Sequence, residues 1–125
     1  MTDTSKTILV VEDEKAYSHT INEKLRSEGF TVLLANNGEE GLAMALEKHP
    51  DLILLDIQMP KMDGIEMVKR LRKDEWGKKA KIIILSNINS MEKTQQALEN
   101  EVFQYLIKSD IKIDDLVDRI NSVLK

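Results

Sequence analysis

The sequence predicts a single α/β domain, in which five β-α units form a parallel sheet with helices on both faces. Three observations carry that prediction. Short apolar runs recur at 8–11, 32–35, 52–55, 82–85 and 103–107, each bounded by polar or turn residues. The segments between them change to a helical period. The chain has 125 residues, the size of one domain. Residues 1–125 therefore read as one unit, long enough for a core without disulfide or metal staples.

Four of the five runs are continuous and rich in leucine or β-branched residues. Such runs suit strands buried on both faces, as in a parallel sheet. In the first helical segment Tyr17, Ile21 and Leu25 stand four apart on one face. In the last, Leu116, Val117, Ile120, Val123 and Leu124 repeat on one face. Both are amphipathic helix patterns. Asn37 with Glu40, and Asn89 with Glu92, resemble capping boxes in which Asn replaces Ser or Thr. Gly29 and Gly77 stand where chain breaks are needed.

Composition removes several classes of function. Hydrophobic residues at 42% and charged residues at 32% describe an ordinary globular chain and argue against disorder. The absence of cysteine excludes disulfides, thiolate metal sites and cysteine nucleophiles. A net charge of -4 makes direct nucleic-acid binding a poor expectation. The start is polar and lacks the apolar core of a signal peptide. No apolar run approaches the roughly 20 residues of a membrane helix. A soluble cytoplasmic protein is expected.

In a parallel α/β sheet, ligands bind beyond the carboxyl ends of the strands. Strand one ends in Glu12-Asp13, strand three in Asp56, strand four in Ser86 and strand five in Lys108. Taken alone, an acidic residue such as Asp13 at the opening of a helix reads as an N-cap. Five polar groups collected at successive strand ends do not. If strands one and three are neighbours, their ends lie roughly 5 Å apart. Two like charges that close repel by about 4 kcal/mol at an effective dielectric near 20. A divalent cation relieves that repulsion. Magnesium prefers hard oxygens and leaves room for phosphate oxygens. Lys108 adds a point charge suited to phosphate, Ser86 adds a hydroxyl, and carboxylates are nucleophiles for phosphorus. The cluster reads as a magnesium and phosphoryl site with Asp56 as acceptor. Met59-Pro60 and Asp63-Gly64 shape the loop beside it.

The stretches 8–14, 49–60 and 62–64, with Ser86 and Tyr105-Leu106-Ile107-Lys108, resemble the receiver domain of two-component response regulators. The likeness extends over nearly the whole chain, and the order and spacing of these pieces are specific. The resemblance implies a flavodoxin-like, doubly wound (βα)5 sheet with strand order 2-1-3-4-5. It makes Asp56 the phosphoacceptor. Glu12 and Asp13 become the acidic pair, with Asp13 the direct Mg2+ ligand and Glu12 acting partly through water. The backbone carbonyl of Gln58 becomes a further ligand. Ser86 would bond the phosphoryl group and Lys108 would pair with it. Tyr105, with Ser86, would be the switch residue. The phosphodonor would be a histidine kinase or histidine phosphotransfer protein approaching over helix one, near Ala16, Tyr17 and Thr20. A downstream protein would read the face of helix four, strand five and helix five.

Two departures stand near the site. Ser109 follows Lys108 where such families often place proline after a cis peptide. A cis bond before a non-proline costs about 2.5–4 kcal/mol, which argues against carrying that geometry over. Asn87 follows Ser86 where a small residue is common, and stands to narrow access to Asp56. Gln58 and Ile88 flank the expected path of attacking water.

Other features read as structural. His19 and His49 read as surface residues. The basic cluster Lys69, Arg70, Arg72, Lys73, Lys78, Lys79 and Lys81 reads as a solvated face. Trp76 reads as packing onto its own domain, and the methionines as gap-filling. One alternative function is a docking module on the same fold that works without phosphorylation. A flavin binder is disfavoured by the acidic turn Glu12-Asp13-Glu14, and an aspartate-nucleophile phosphatase by Gln58, where a second aspartate is usual. No independent turnover enzyme is expected. The sequence stops soon after the last helix, as either a stand-alone regulator or a piece excised from a larger one.

Overall fold

The computed structural model describes residues 6–87, 91–102 and 104–124. Strands β1 (Thr7–Val11), β2 (Thr31–Ala35), β3 (Leu52–Leu55), β4 (Ile82–Ser86) and β5 (Gln104–Ile107) alternate with helices. These are α1 (Lys15–Ser27), α2 (Gly38–Lys48), α3 (Gly64–Leu71), α4 (Met91–Glu99) and α5 (Ile113–Leu124). All strand pairs are parallel, in the order β2-β1-β3-β4-β5. The expected architecture and strand order are both present. Phe103, expected to open the fifth strand, and the Asn89 cap lie outside the described residues, as does Ile88.

The continuous apolar runs are explained by two core layers. Leu9, Val11, Ile53, Leu55, Ile82 and Ile84 face one layer, closed by α2, α3 and α4. The alternate residues Ile8, Val10, Leu52, Leu54, Ile83 and Leu85 face the other, closed by α1 and α5. Strand side chains alternate between faces. A strand covered on both sides must therefore be apolar along its covered length, as β1 is from Ile8 to Val11, β3 throughout and β4 from Ile82 to Leu85. The edge strand β2 is less covered, and its Leu34 is 40% exposed. Ile21 and Leu25 of α1 and Leu116, Val117 and Ile120 of α5 are buried on the helix faces that their spacing defines. No described helix is long and apolar enough to cross a membrane.

The helix ends carry readable chemistry. Asn37 caps α2, its side chain accepting from the Glu40 amide at 2.8 Å. Glu40 reaches back one residue further than in the usual box, and accepts from the Asn36 amide at 2.7 Å. Gly29 ends α1 at a φ of 96°, a left-handed geometry that glycine adopts without strain. His49 ends α2 in the left-handed region at a φ of 49° and is exposed, as a surface histidine was expected to be. Its ring stacks on Trp76 with centroids 4.3 Å apart, so Trp76 packs onto its own domain.

Asp63-Gly64 is a helix start as well as a loop. Asp63 caps α3, accepting from the Glu66 amide at 2.8 Å. A Cβ on Gly64 would collide with the Asp56 carbonyl oxygen and come within 2.9 Å of the Ile57 Cα. Glycine thus lets α3 begin against the backbone that carries Asp56. Gly64→Ala is expected to destabilise the fold by about 1–3 kcal/mol, the usual cost of overpacking. A urea midpoint equal to that of the wild type would contradict this.

The basic cluster needs one correction. Lys69, Arg70, Lys73, Lys78 and Lys79 are exposed, as a solvated face requires. Arg72 turns inward, and its guanidinium donates to four backbone carbonyls. Charge pattern alone cannot separate such a residue from its exposed neighbours. Lys81 is also partly withdrawn, donating to the Val123 carbonyl at 3.2 Å.

Candidate functional site at the carboxyl rim of the sheet

Register decides which side chains meet. Val11 stands level with Leu55, and Leu55 with Ile84, so the residues after β1 and β3 emerge side by side. The Glu12 amide donates to the Ala35 carbonyl and the Asp56 amide to the Val11 carbonyl, both at 3.0 Å. Those bonds extend the ladder by one step and fix the first carboxylates beyond the strands. Glu12 and Asp56 are buried, whereas Asp13 is exposed. Carboxylate oxygens of Glu12, Asp13 and Asp56 all lie within 4.8 Å of one another. Asp13 is not the cap of α1. Glu14 occupies that position and makes no side-chain cap bond.

Lys108 follows β5 and enters from the far side of β4. Its ammonium lies 2.5 Å from a Glu12 oxygen, 3.3 Å from Asp56 Oδ2 and 3.7 Å from Glu14 Oε1. The same Nζ is 4.4 Å from the centroid of the Tyr17 ring. Ser86, fully buried at the end of β4, faces the same cavity of about 330 Å³. Gln58 and Asn87 complete its wall with the acidic residues and Lys108. The Gln58 amide approaches Asp56 Oδ1 at 3.4 Å, a long contact. Among the described residues every peptide is trans, the Lys108–Ser109 bond included.

Of the residues expected at the rim, Glu12, Asp13, Asp56, Gln58, Ser86 and Lys108 come together. Tyr105, expected as a switch residue on the fifth strand and not as a rim ligand, does not line that cavity. It is half-buried, packs against the α3 and α4 side of the core, and lines a separate groove with Asp110, Asp115 and Asp118 of the β5–α5 region. Two contacts were not legible beforehand. Glu14 lies within ion-pair reach of Lys108, and the Tyr17 ring covers it. Tyr17 was expected in the apolar stripe of α1 and near the approach of the phosphodonor, and neither reading implied a contact with Lys108.

One ammonium among several carboxylates leaves the rim acidic. Burial pushes the Glu12 carboxyl above its ordinary range, although Lys108 and the Glu14 amide pull it back. Burial disfavours the Lys108 charge, but Glu12 and Asp56 outweigh it and hold the ammonium protonated. Burial, with the Asp56 charge nearby, also raises the Tyr105 phenol. Closely spaced hard oxygens, more carboxylates than cations, and an open cavity beside them fit a divalent cation of the magnesium type. The same cavity offers Lys108 and Ser86 to an anion placed on Asp56.

Comparison with known proteins agrees with this geometry. A family model described as the response regulator receiver domain matches residues 8–121. The response regulator MprA of Mycobacterium leprae is 32% identical over 94% of this chain and 50% of its own length. The DNA-binding dual master transcriptional regulator RpaA of Synechocystis sp. is 30% identical over 94% of this chain and 48% of its own. The chain thus spans about half the length of these curated relatives. Among solved structures, a CheY-like response regulator receiver domain protein of Methanospirillum hungatei JF-1 superposes with a TM-score of 0.90. It is 29% identical, with 97% of this chain and 94% of that one covered.

Proposed function

The chain belongs to the response regulator receiver family, and from that premise we propose that it is a phosphorylation-dependent switch whose phosphoacceptor is Asp56. The observation that carries this reading is the meeting of Asp56 with Glu12, Asp13 and Lys108 at one rim. The donor would be the phosphohistidine of a histidine kinase or histidine phosphotransfer protein. An Asp56 carboxylate oxygen forms the new P–O bond while the P–N bond to the donor imidazole breaks. The bonding pair stays on that imidazole nitrogen.

Phosphoryl transfer asks little covalent chemistry of a protein beyond the nucleophile, and depends on positioning and charge neutralisation. Asp56 follows the buried Leu52–Leu55 strand and its amide is tied to Val11, so its carboxylate has a fixed origin. Lys108 supplies a positive charge for the phosphoryl oxygens, and Ser86 a hydroxyl. Asp13, Asp56, the backbone carbonyl of Gln58 and, partly through water, Glu12 would hold Mg2+, which neutralises charge on the transferred group when bound. Asn87, at the cavity wall, narrows the approach to Asp56. Tyr105 and Ser86 would carry the change onward to the face of α4, β5 and α5, where a downstream protein binds. The coupling shifts an existing equilibrium between two forms. A cytoplasmic location and the treatment of residues 1–125 as one receiver unit belong to the same reading.

The test is phosphorylation with acetyl phosphate and magnesium, read as a gain of one phosphoryl group in intact mass. No gain in the wild type would end the proposal. If a downstream partner bound the unmodified and beryllofluoride-treated proteins equally, a docking role without phosphorylation would replace the switch.

Magnesium affinity is expected to fall as pH drops. Protonated Glu12 is a poor metal ligand, and its carboxyl holds a proton above the ordinary value of 4.5. The loss therefore begins at a higher pH than an unperturbed glutamate would dictate. For the metal-free fold the sign is opposite. A raised carboxyl pKa favours the folded state most at low pH, and that contribution is lost as pH rises through the folded value. Magnesium titrations across the acidic range check the first effect. A Glu12→Gln variant should show a flatter pH dependence.

A further inference from the structure

We propose that Tyr17 is a positioning residue that holds the Lys108 ammonium over Asp56 through the face of its ring, an inference that rests on the reading of Asp56 as phosphoacceptor. Tyr17 stands in the first turn of α1, and Lys108 Nζ is 4.4 Å from its ring centroid. That distance is well inside the range of a cation–π contact. The ring is itself anchored, because Tyr17 packs against the layer that holds Ile21 and Leu25.

The chemistry of the rim explains why an aromatic ring suits this position. Among the described residues, the charged groups paired with the Lys108 ammonium are the carboxylates of Glu12, Asp56 and Glu14. Two of these, Glu12 and Asp56, are the groups that a metal ion and a phosphoryl group would engage. A ring face attracts an ammonium without taking one of its N–H bonds in a lone pair. It also adds no net negative charge to an acidic site. Tyr17 therefore secures Lys108 while leaving its three donors for oxygen acceptors. An aliphatic side chain at position 17 would fill the space but leave Lys108 with two carboxylates that are engaged elsewhere during the reaction and the exposed Glu14 at 3.7 Å. The effect belongs to the state carrying the phosphoryl group, and metal binding alone does not depend on it.

The experiment is a calorimetric titration of the full chain with magnesium, then with beryllofluoride in saturating magnesium. The proteins are the wild type, Tyr17→Phe, Tyr17→Leu, Tyr17→Met and Asp56→Asn. Tyr17→Phe keeps the ring and is expected to bind beryllofluoride within about twofold of the wild type. Tyr17→Leu is expected to bind it about fivefold to thirtyfold more weakly, the range for a partly desolvated cation–π contact. Magnesium affinity should stay within about twofold in both. Tyr17→Met, whose flexible side chain fills irregular space, replaces Tyr17→Leu if that variant fails to fold. Wild-type beryllofluoride affinity in the ring-less variant overturns the proposal and leaves the Asp56 reading intact. A parallel fall in magnesium affinity and melting temperature also overturns it, since that is a packing defect. A wild type that binds beryllofluoride no better than Asp56→Asn overturns the reading and the proposal together.

Discussion

Asp56→Asn is expected to lose phosphorylation by acetyl phosphate to the limit of detection while remaining folded. The amide presents no anionic oxygen to phosphorus, and no neighbour can stand in for it. Glu12 is engaged by Lys108 and by the Glu14 amide, and Asp13 lies exposed at the outer edge of the rim. The accompanying stability change has a predictable sign. The substitution breaks the 3.3 Å contact with Lys108, an attraction of about 5 kcal/mol at an effective dielectric near 20. It also removes one of the like charges gathered within 4.8 Å, whose repulsion is about 4 kcal/mol per pair at 4 Å and an effective dielectric near 20. Relief of repulsion from both Glu12 and Asp13 exceeds the lost attraction, so the metal-free variant should melt at or above the wild-type temperature. Magnesium should bind it more weakly. Intact-mass measurement and a thermal scan with and without magnesium check all three effects. Equal phosphorylation of wild type and variant would move the acceptor elsewhere. A sharply lower melting temperature would show that charge crowding at the rim is not a cost to the fold.

Arg72→Ala is expected to cost about 2–4 kcal/mol of stability, because hydrogen bonds from a charged donor are strong and their loss strands the acceptors. Arg72 Nε donates to the Asn100 carbonyl at 3.0 Å, and Nη2 to that of Glu101 at 2.9 Å. Nη1 donates to Gly77 at 2.6 Å and to Ala80 at 2.8 Å. One planar group thus ties the end of α3 to the turn before β4 and to the chain leaving α4. Burial pushes its pKa below the ordinary value, but a guanidinium remains charged at neutral pH. Glu101 sits at a φ of 62°, in the region that disfavours side chains bearing a Cβ, and the Arg72 bond helps hold it there. For a domain of this size the loss corresponds to a drop on the order of 10 °C in melting temperature. Arg72→Lys should recover little of it, since an ammonium cannot reproduce the rigid fork. Chemical denaturation measures the loss, and amide exchange should rise around 97–102. A loss below about 0.5 kcal/mol, the scale of an ordinary surface substitution, would show that solvent replaces these bonds freely.

Both variants bear on what was readable from residues alone. The sequence by itself determined the β-α alternation, because strand and helix periods are local. A strand covered on both faces must be apolar at each step, and Ile8-Leu9-Val10-Val11 and Leu52-Ile53-Leu54-Leu55 say so directly. It also placed Glu12, Asp13, Asp56, Ser86 and Lys108 at strand ends, since the residue after a buried run is the first that can be polar. The caps at Asn37 and the break at Gly29 are equally local, one side-chain bond or one backbone angle each. The strand order came into view only through likeness to a family, because nothing in one strand names its neighbour.

Tertiary structure decided what those strand ends do to one another. Lys108 and Asp56 are 52 positions apart, and their contact depends on β4 lying between β3 and β5. Parallel packing in that register buries Glu12 and leaves Asp13 exposed, although the two are adjacent in the chain. It also separates Arg72 from Lys69 and Lys73, turning one cation of an apparently solvated run onto backbone carbonyls. Tyr17 looked like the first member of an apolar helix stripe, and it is that. Only the seating of α1 against the rim brings its ring over Lys108. Local rules concern a residue and its near neighbours along the chain. Contacts between distant groups are set by how layers stack, and the chemistry of the rim is a contact of that second kind.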